Sequence, residues 1–168
     1  RLIISWPKRE GRKRISRSNF HRRLFQPLKQ ISFPYFNNAA CVFAFEEEGI
    51  SSNVRIDLWE PREVLAHLVF WHEFVASALE SNDGPVKIFA SIDEMNARAV
   101  GRAANRSIKS LLVDIKNINA RLNESAKQIS DINEIIIIFP NGDEKSTQEM
   151  LEFNISNHWD SHIAELKN

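Results

Sequence analysis

The chain has 168 residues, 43% hydrophobic and 26% charged, with no net charge at neutral pH. That length suits one domain with an extension, and the sequence holds no run of eighteen apolar residues to cross a membrane. The single cysteine, Cys41, excludes an internal disulfide and points to a reducing, cytoplasmic compartment.

The neutral total conceals an asymmetry. Residues 1–30 carry ten Lys/Arg against one acid, Glu10, while the remainder carries twelve basic and twenty-one acidic residues, a net of −9. The domain reading follows: 1–34 as a basic extension, 35–168 as the folded body. Pro7, Pro27 and Pro34 interrupt any long helix in the extension, and the chain begins without Met, as a fragment or processed product does. A basic arm for nucleic acid or anionic lipid, a transit-like segment and a poorly ordered tail are the readings, with the tail favoured. The acidic body would repel a phosphate backbone, which argues against nucleic acid as the partner.

Residues 35–49 can form a short helix stopped at Gly49, and a loop follows. The stretch 60–81 predicts a strong helix. Pro61 suits its first position, and Val64, Leu65, Leu68, Trp71, His72, Val75 and Leu79 make a broad apolar arc. His72 sits near the centre of that arc and His67 at its edge, beside Trp71.

The pattern over 91–129 predicts the longest helix, opened by a Ser91/Glu94 capping box. Its second half keeps an apolar seam from Ile108 through Leu111, Ile115, Ile118 and Leu122 to Ile129. Its first half has small residues (Ala97, Ala99, Gly101, Ala103, Ala104), which allow close approach of a partner or leave room for a ligand. Arg98, Arg102 and Arg106 recur every four residues, and could hold a carboxylate or phosphate or form a solvated basic face. Residues 134–139 read as a short extended segment before an Asn141-Gly142 turn. A lone strand is not stable, so a second short piece, near Val54–Ile56, is its expected partner.

A second capping box, Ser146/Glu149, opens the last predicted helix, 146–166. His158 and His162 are four residues apart and share its apolar face with Leu151, Ile155 and Leu166. Buried polar rings need a partner, which could be a metal, a hydrogen bond or water. The fold class that collects these elements is all-α: a four-helix bundle with a short extended segment before the last helix. If helices 60–81 and 146–166 run antiparallel, roughly 1.5 Å per residue brings His67 to the height of His158 and His162, with His72 deeper. Height favours His67 as third ligand, and facing direction favours His72. Three imidazoles with one open position suit Zn, Ni, Fe or Cu. Asp160 is the acid nearest to the pair, but it points off their face.

Two stretches carry a family resemblance. WEPREVLAHLVFWHEF, Trp59–Phe74, resembles the second-helix signature of the DinB/YfiT-like metalloprotein superfamily. NHWDSHIAEL, Asn157–Leu166, is similar to its fourth-helix His-x-x-x-His. The resemblance spans roughly residues 37–166 and implies an up-down-down-up bundle. It implies a metal triad of His67, His158 and His162; His72 stays the alternative that its facing direction offers, and zinc or nickel are the first ions to consider. It further implies a thiol-dependent S-transferase or related enzyme, with a low-molecular-weight thiol as second cofactor and a small electrophile as substrate, in detoxification. On the residues' own chemistry, and not by the resemblance, Arg98, Arg102 and Trp71 are the candidates to contact thiol or substrate. Trp59–Phe74 also resembles the ClbS/DfsB four-helix proteins, which implies the rival function: a bundle that sequesters a small molecule without metal. Monomer and homodimer both stay open.

Overall fold

The computed structural model describes Phe45, Ile56 and residues 58–167, the side chains of 155, 156 and 167 excepted. The predicted extension 1–34 and the predicted helix over 35–49, Phe45 apart, lie outside the described residues. Those described are mostly helical, with one small sheet. No helix among them is long and apolar enough to cross a membrane.

The central element is α1, Pro61–Glu80. Pro61 supplies a preset φ at its start, and the Glu60 backbone N–H donates to Glu63 Oε2 at 2.8 Å, closing the first turn. Twelve of its twenty residues are buried, so it is covered on more than one side. Ser81 leaves the helix in an extended conformation, and Gly84 turns the chain at φ 80°. The expected helix 60–81 is therefore present within one residue at each end.

The expected single helix over 91–129 is instead two: α2, Ile92–Arg102, and α3, Ile108–Ala126. The break has a local cause. Ser107 accepts the Ser110 N–H at 3.2 Å and so founds a new N-terminus. The Ala103 carbonyl is meanwhile taken by Arg62 Nη1 at 2.8 Å, which ties the break to the start of α1. The small residues do not act together either. Ala99 and Ala103 are buried, Ala97, Gly101 and Ala104 are exposed, and a Cβ on Gly101 would meet open space.

Helix α3 buries Leu111, Leu112, Ile115, Ile118 and Leu122. Arg121 in its last turns reaches Glu73 at 2.7 Å and Glu80 at 2.6 Å, late in α1. With Arg62 touching Ala103 at the other end, α1 and α3 run parallel.

The sheet has three short strands in the order β1 (Val86–Lys87), β2 (Ile135–Ile138), β3 (Glu144–Ser146). β1 and β2 are parallel, β2 and β3 antiparallel. Among the described residues the partners of the extended segment are thus 86–87 and 144–146; Ile56 bridges Trp59 instead, and the rest of the expected partner stretch lies outside the described residues. The hairpin turns where expected: Gly142, at φ 79°, donates to the Phe139 carbonyl at 2.9 Å.

The last helix starts at its predicted cap, with Ser146 Oγ accepting the Glu149 N–H at 3.3 Å. It is not α-helical throughout. α4, Thr147–Leu151, passes into a π-helical segment, Glu152–Asn157, before α5, His158–Lys167. The wider turn places Asn154 inside, 1% exposed, a residue the simple apolar stripe leaves out. Trp159 is fully buried, with Phe45 against its edge at 6.3 Å. His67 near the start of α1 meets His162 of α5, while Ala78 and Leu79 near its end share a groove with Thr147 at the start of α4, so α1 and the last helix run antiparallel.

Candidate metal centre

His67 comes from the second turn of α1, His158 and His162 from successive turns of α5. The i, i+4 spacing keeps the last two on one face, and the antiparallel packing brings His67 to their height. The ring centres lie 4.8 Å (His67–His158), 5.4 Å (His67–His162) and 4.8 Å (His158–His162) apart. One nitrogen from each imidazole lies within 4.8 Å of the other two. His67 Nε2 and His158 Nε2 are 2.8 Å apart, which requires one to donate and the other to accept. None of the three residues is more than 5% exposed.

The cluster has aromatic walls. Phe153 stacks on His158 at 5.7 Å, and Trp59 tilts over His67 at 5.0 Å. Trp59 is held there by a tight turn, its backbone exchanging two hydrogen bonds with Ile56 at 2.9 and 3.1 Å. Trp71 presents its edge to His67 at 6.4 Å and donates from Nε1 to Asn96 Oδ1 at 3.0 Å.

These surroundings keep the His67 and His158 rings neutral. Burial first, and His162 second, push the His67 pKa down to about 3. Asn96 opposes this weakly, although no hydrogen bond closes on His67 Nδ1. His158 is held well below the ordinary imidazole range by burial, then by His67, His162 and His72. Three buried ring nitrogens have no hydrogen-bond partner: His67 Nδ1, His158 Nδ1 and His162 Nε2. A buried polar atom without a partner costs roughly 1–3 kcal/mol, so three on adjoining rings are an expensive arrangement for a purely structural core.

The donor set fits a divalent metal. Zinc–imidazole bonds of about 2.0–2.1 Å in tetrahedral geometry put ligand nitrogens roughly 3.3 Å apart. One pair of nitrogens lies 2.8 Å apart and one nitrogen from each ring lies within 4.8 Å of the other two, a range that includes that value. His67 and His158, being neutral, carry no extra proton that a metal would have to displace. The three histidines could therefore hold a metal ion.

His72 does not join them. It is fully buried, and its Nδ1 accepts from Trp159 Nε1 at 3.1 Å. Trp71 is buried beside His67, with its indole N–H committed to Asn96. Arg98 and Arg102 are exposed and line surface grooves to which none of the three histidines contributes. Arg106, which shares their spacing, pairs with Asp114. Asp160, the acid nearest in sequence, is exposed, whereas Glu165 Oε2 lies 2.9 Å from His162 Nδ1. Glu165 and Asn96 are the polar neighbours that sequence reading missed. The Glu165 signal was present as an i, i+3 pair on a helix, while nothing in the sequence ties Asn96 to His67.

Fold and site together define a mostly helical protein with a buried three-histidine cluster able to hold a divalent metal. No family model, curated protein or solved structure matches the chain.

Proposed function

We propose that the protein is a divalent-metal-binding four-helix bundle of the DinB/YfiT-like kind, acting as a thiol-dependent transferase or related enzyme on small electrophilic molecules. The observation that carries the metal is the convergence of three buried imidazoles, each with one ring nitrogen that has no hydrogen-bond partner. The parallel run of α1 and α3 and the antiparallel run of α1 and α5 agree with the up-down-down-up order of that family. A bound metal would supply Lewis acidity, lowering a thiol's pKa so that its thiolate is available as nucleophile. The chain's own residues do the rest. His67, His158 and His162 present the donor nitrogens, the walls of Trp59, Trp71 and Phe153 exclude water, and Glu165 and Asn96 face the outer sides of the rings.

Titration of the metal-free protein with zinc and with nickel tests this. One ion per chain is expected in the wild type and none bound tightly by His162→Leu. Equal uptake by both proteins, or by neither, defeats the reading.

A second reading has one observation in its favour. A cleft of about 320 Å³ lies between α1, α2 and α3, away from the histidines, with Val69, Phe70, Leu111 and Ile118 among its lining. It suits a sequestering bundle of the ClbS/DfsB kind without metal. Metal analysis of protein purified without chelator separates the two.

A further inference from the structure

The three histidines are not equally ready to bind a metal. His67 and His158 point their Nε2 atoms at each other, 2.8 Å apart. One of those atoms must carry a hydrogen and the other a lone pair. At least one of the two rings is thus in the wrong tautomer to offer Nε2 as a ligand, and has to move that proton to Nδ1 first. His162 differs. Its Nδ1 lies 2.9 Å from Glu165 Oε2. A carboxylate oxygen accepts, so Nδ1 carries the hydrogen, and a neutral ring protonated there has its lone pair on Nε2. That Nε2 is buried and has no hydrogen-bond partner.

We infer that Glu165 is a positioning residue for the metal site, presetting His162 as the first ligand by fixing its tautomer and the direction of its ring. This rests on the metal reading above and adds to it a residue outside the donor set. The placement is local: Glu165 is three residues on from His162 in α5, so the helix itself holds the carboxylate beside the ring. Ligating histidines bonded on their far nitrogen to a carboxylate are more basic and better oriented, and loss of that partner typically lowers metal affinity about 10- to 100-fold. The Glu165 side chain is 45% exposed, while that of His162 is 4% exposed. The carboxylate therefore spans from solvent to the buried ring. Its removal empties no core space, which keeps its effect on metal binding separable from any effect on folding. His158 has no equivalent support: its Nδ1 is without a partner, and Phe153 stacks on its face instead.

The test has two arms, using the wild type, Glu165→Gln, Glu165→Ala and, as control, Asp160→Asn. In the first, nitrogen-15 NMR of the metal-free proteins reads the His162 tautomer directly. The Nδ1–H form is expected in the wild type and in Glu165→Gln, whose amide oxygen still accepts, and its loss is expected in Glu165→Ala. In the second, zinc affinity is measured by chelator competition. Glu165→Ala should bind about 10- to 100-fold more weakly, with Glu165→Gln between it and the wild type and Asp160→Asn equal to the wild type. Thermal melts of the metal-free variants should coincide. An Nε2–H tautomer for His162 in the wild type overturns the inference, and so does wild-type zinc affinity in Glu165→Ala. If the wild type takes up no zinc, the metal reading fails by itself, and the tautomer arm still decides what Glu165 does.

Discussion

His67 and His72 stand five residues apart on α1, both fully buried, both with a pKa pushed to about 3 chiefly by burial. By depth and by titration they are alike, yet they have different fates. His72 receives an indole N–H from Trp159, an element of packing that joins α1 to α5. His67 faces two further imidazoles, and its Nδ1 is left without a hydrogen bond. Burial and a shifted pKa therefore do not mark a site here. The mark is three imidazoles that converge and leave one nitrogen on each ring without a hydrogen-bond partner.

The largest effect that should separate the two histidines is metal stabilisation. If zinc binds at the cluster, an excess of 1,000 times Kd should raise unfolding stability by about 4 kcal/mol. Melts with zinc and with chelator should show this gain in the wild type and in His72→Leu, and its loss in His162→Leu. A zinc-dependent gain that survives in His162→Leu would erase the distinction.

Next in size is an effect the two share. The folded-state pKa values of His67 and His72 lie below the value of about 6.5 expected in an unfolded chain. Unfolding therefore takes up protons below pH 6.5, and the native state loses stability as pH falls from 6.5 toward 3. The slope approaches about 1.4 kcal/mol per pH unit for each histidine. Urea midpoints of metal-free protein at pH 7.5, 6 and 5 should fall in that order, and a flat profile would show that the rings titrate normally.

The smallest effect sharpens the contrast most. In metal-free protein His72→Leu leaves the buried Trp159 N–H without its acceptor, and should cost roughly 1–3 kcal/mol. His162→Leu removes an unpaired Nε2 from the interior together with the half-exposed Nδ1–Glu165 bond, two effects of opposite sign, and should change stability by less than about 1 kcal/mol in either direction. Denaturant unfolding of the two variants beside the wild type checks this. The reverse ranking would place the structural role at the cluster.

Much of this was readable beforehand, where the cause is local. The caps at Ser91 and Ser146, the Asn141-Gly142 turn and Pro61 at the head of α1 all act within a few residues. The readings that needed correction involve distant groups. Nothing in the apolar seam of 91–129 shows that Arg62 takes the Ala103 carbonyl, although Ser107 was a cap in plain view. The high β-propensity of Ile135–Ile138 made a strand expected, but its partners depended on where the chain returned. The π-helical segment breaks the 3.6-residue count on which the stripe through Ile155 was drawn.

The sequence by itself determined that His158 and His162 share a face of the last helix, since helical spacing alone sets that, and it placed His67 at their height once the helices were taken as antiparallel. Only the tertiary structure decided between His67 and His72. Periodicity gives the direction a side chain leaves its own helix, not what waits on the neighbouring one. The indole of Trp159 was waiting for His72, and two further imidazoles for His67.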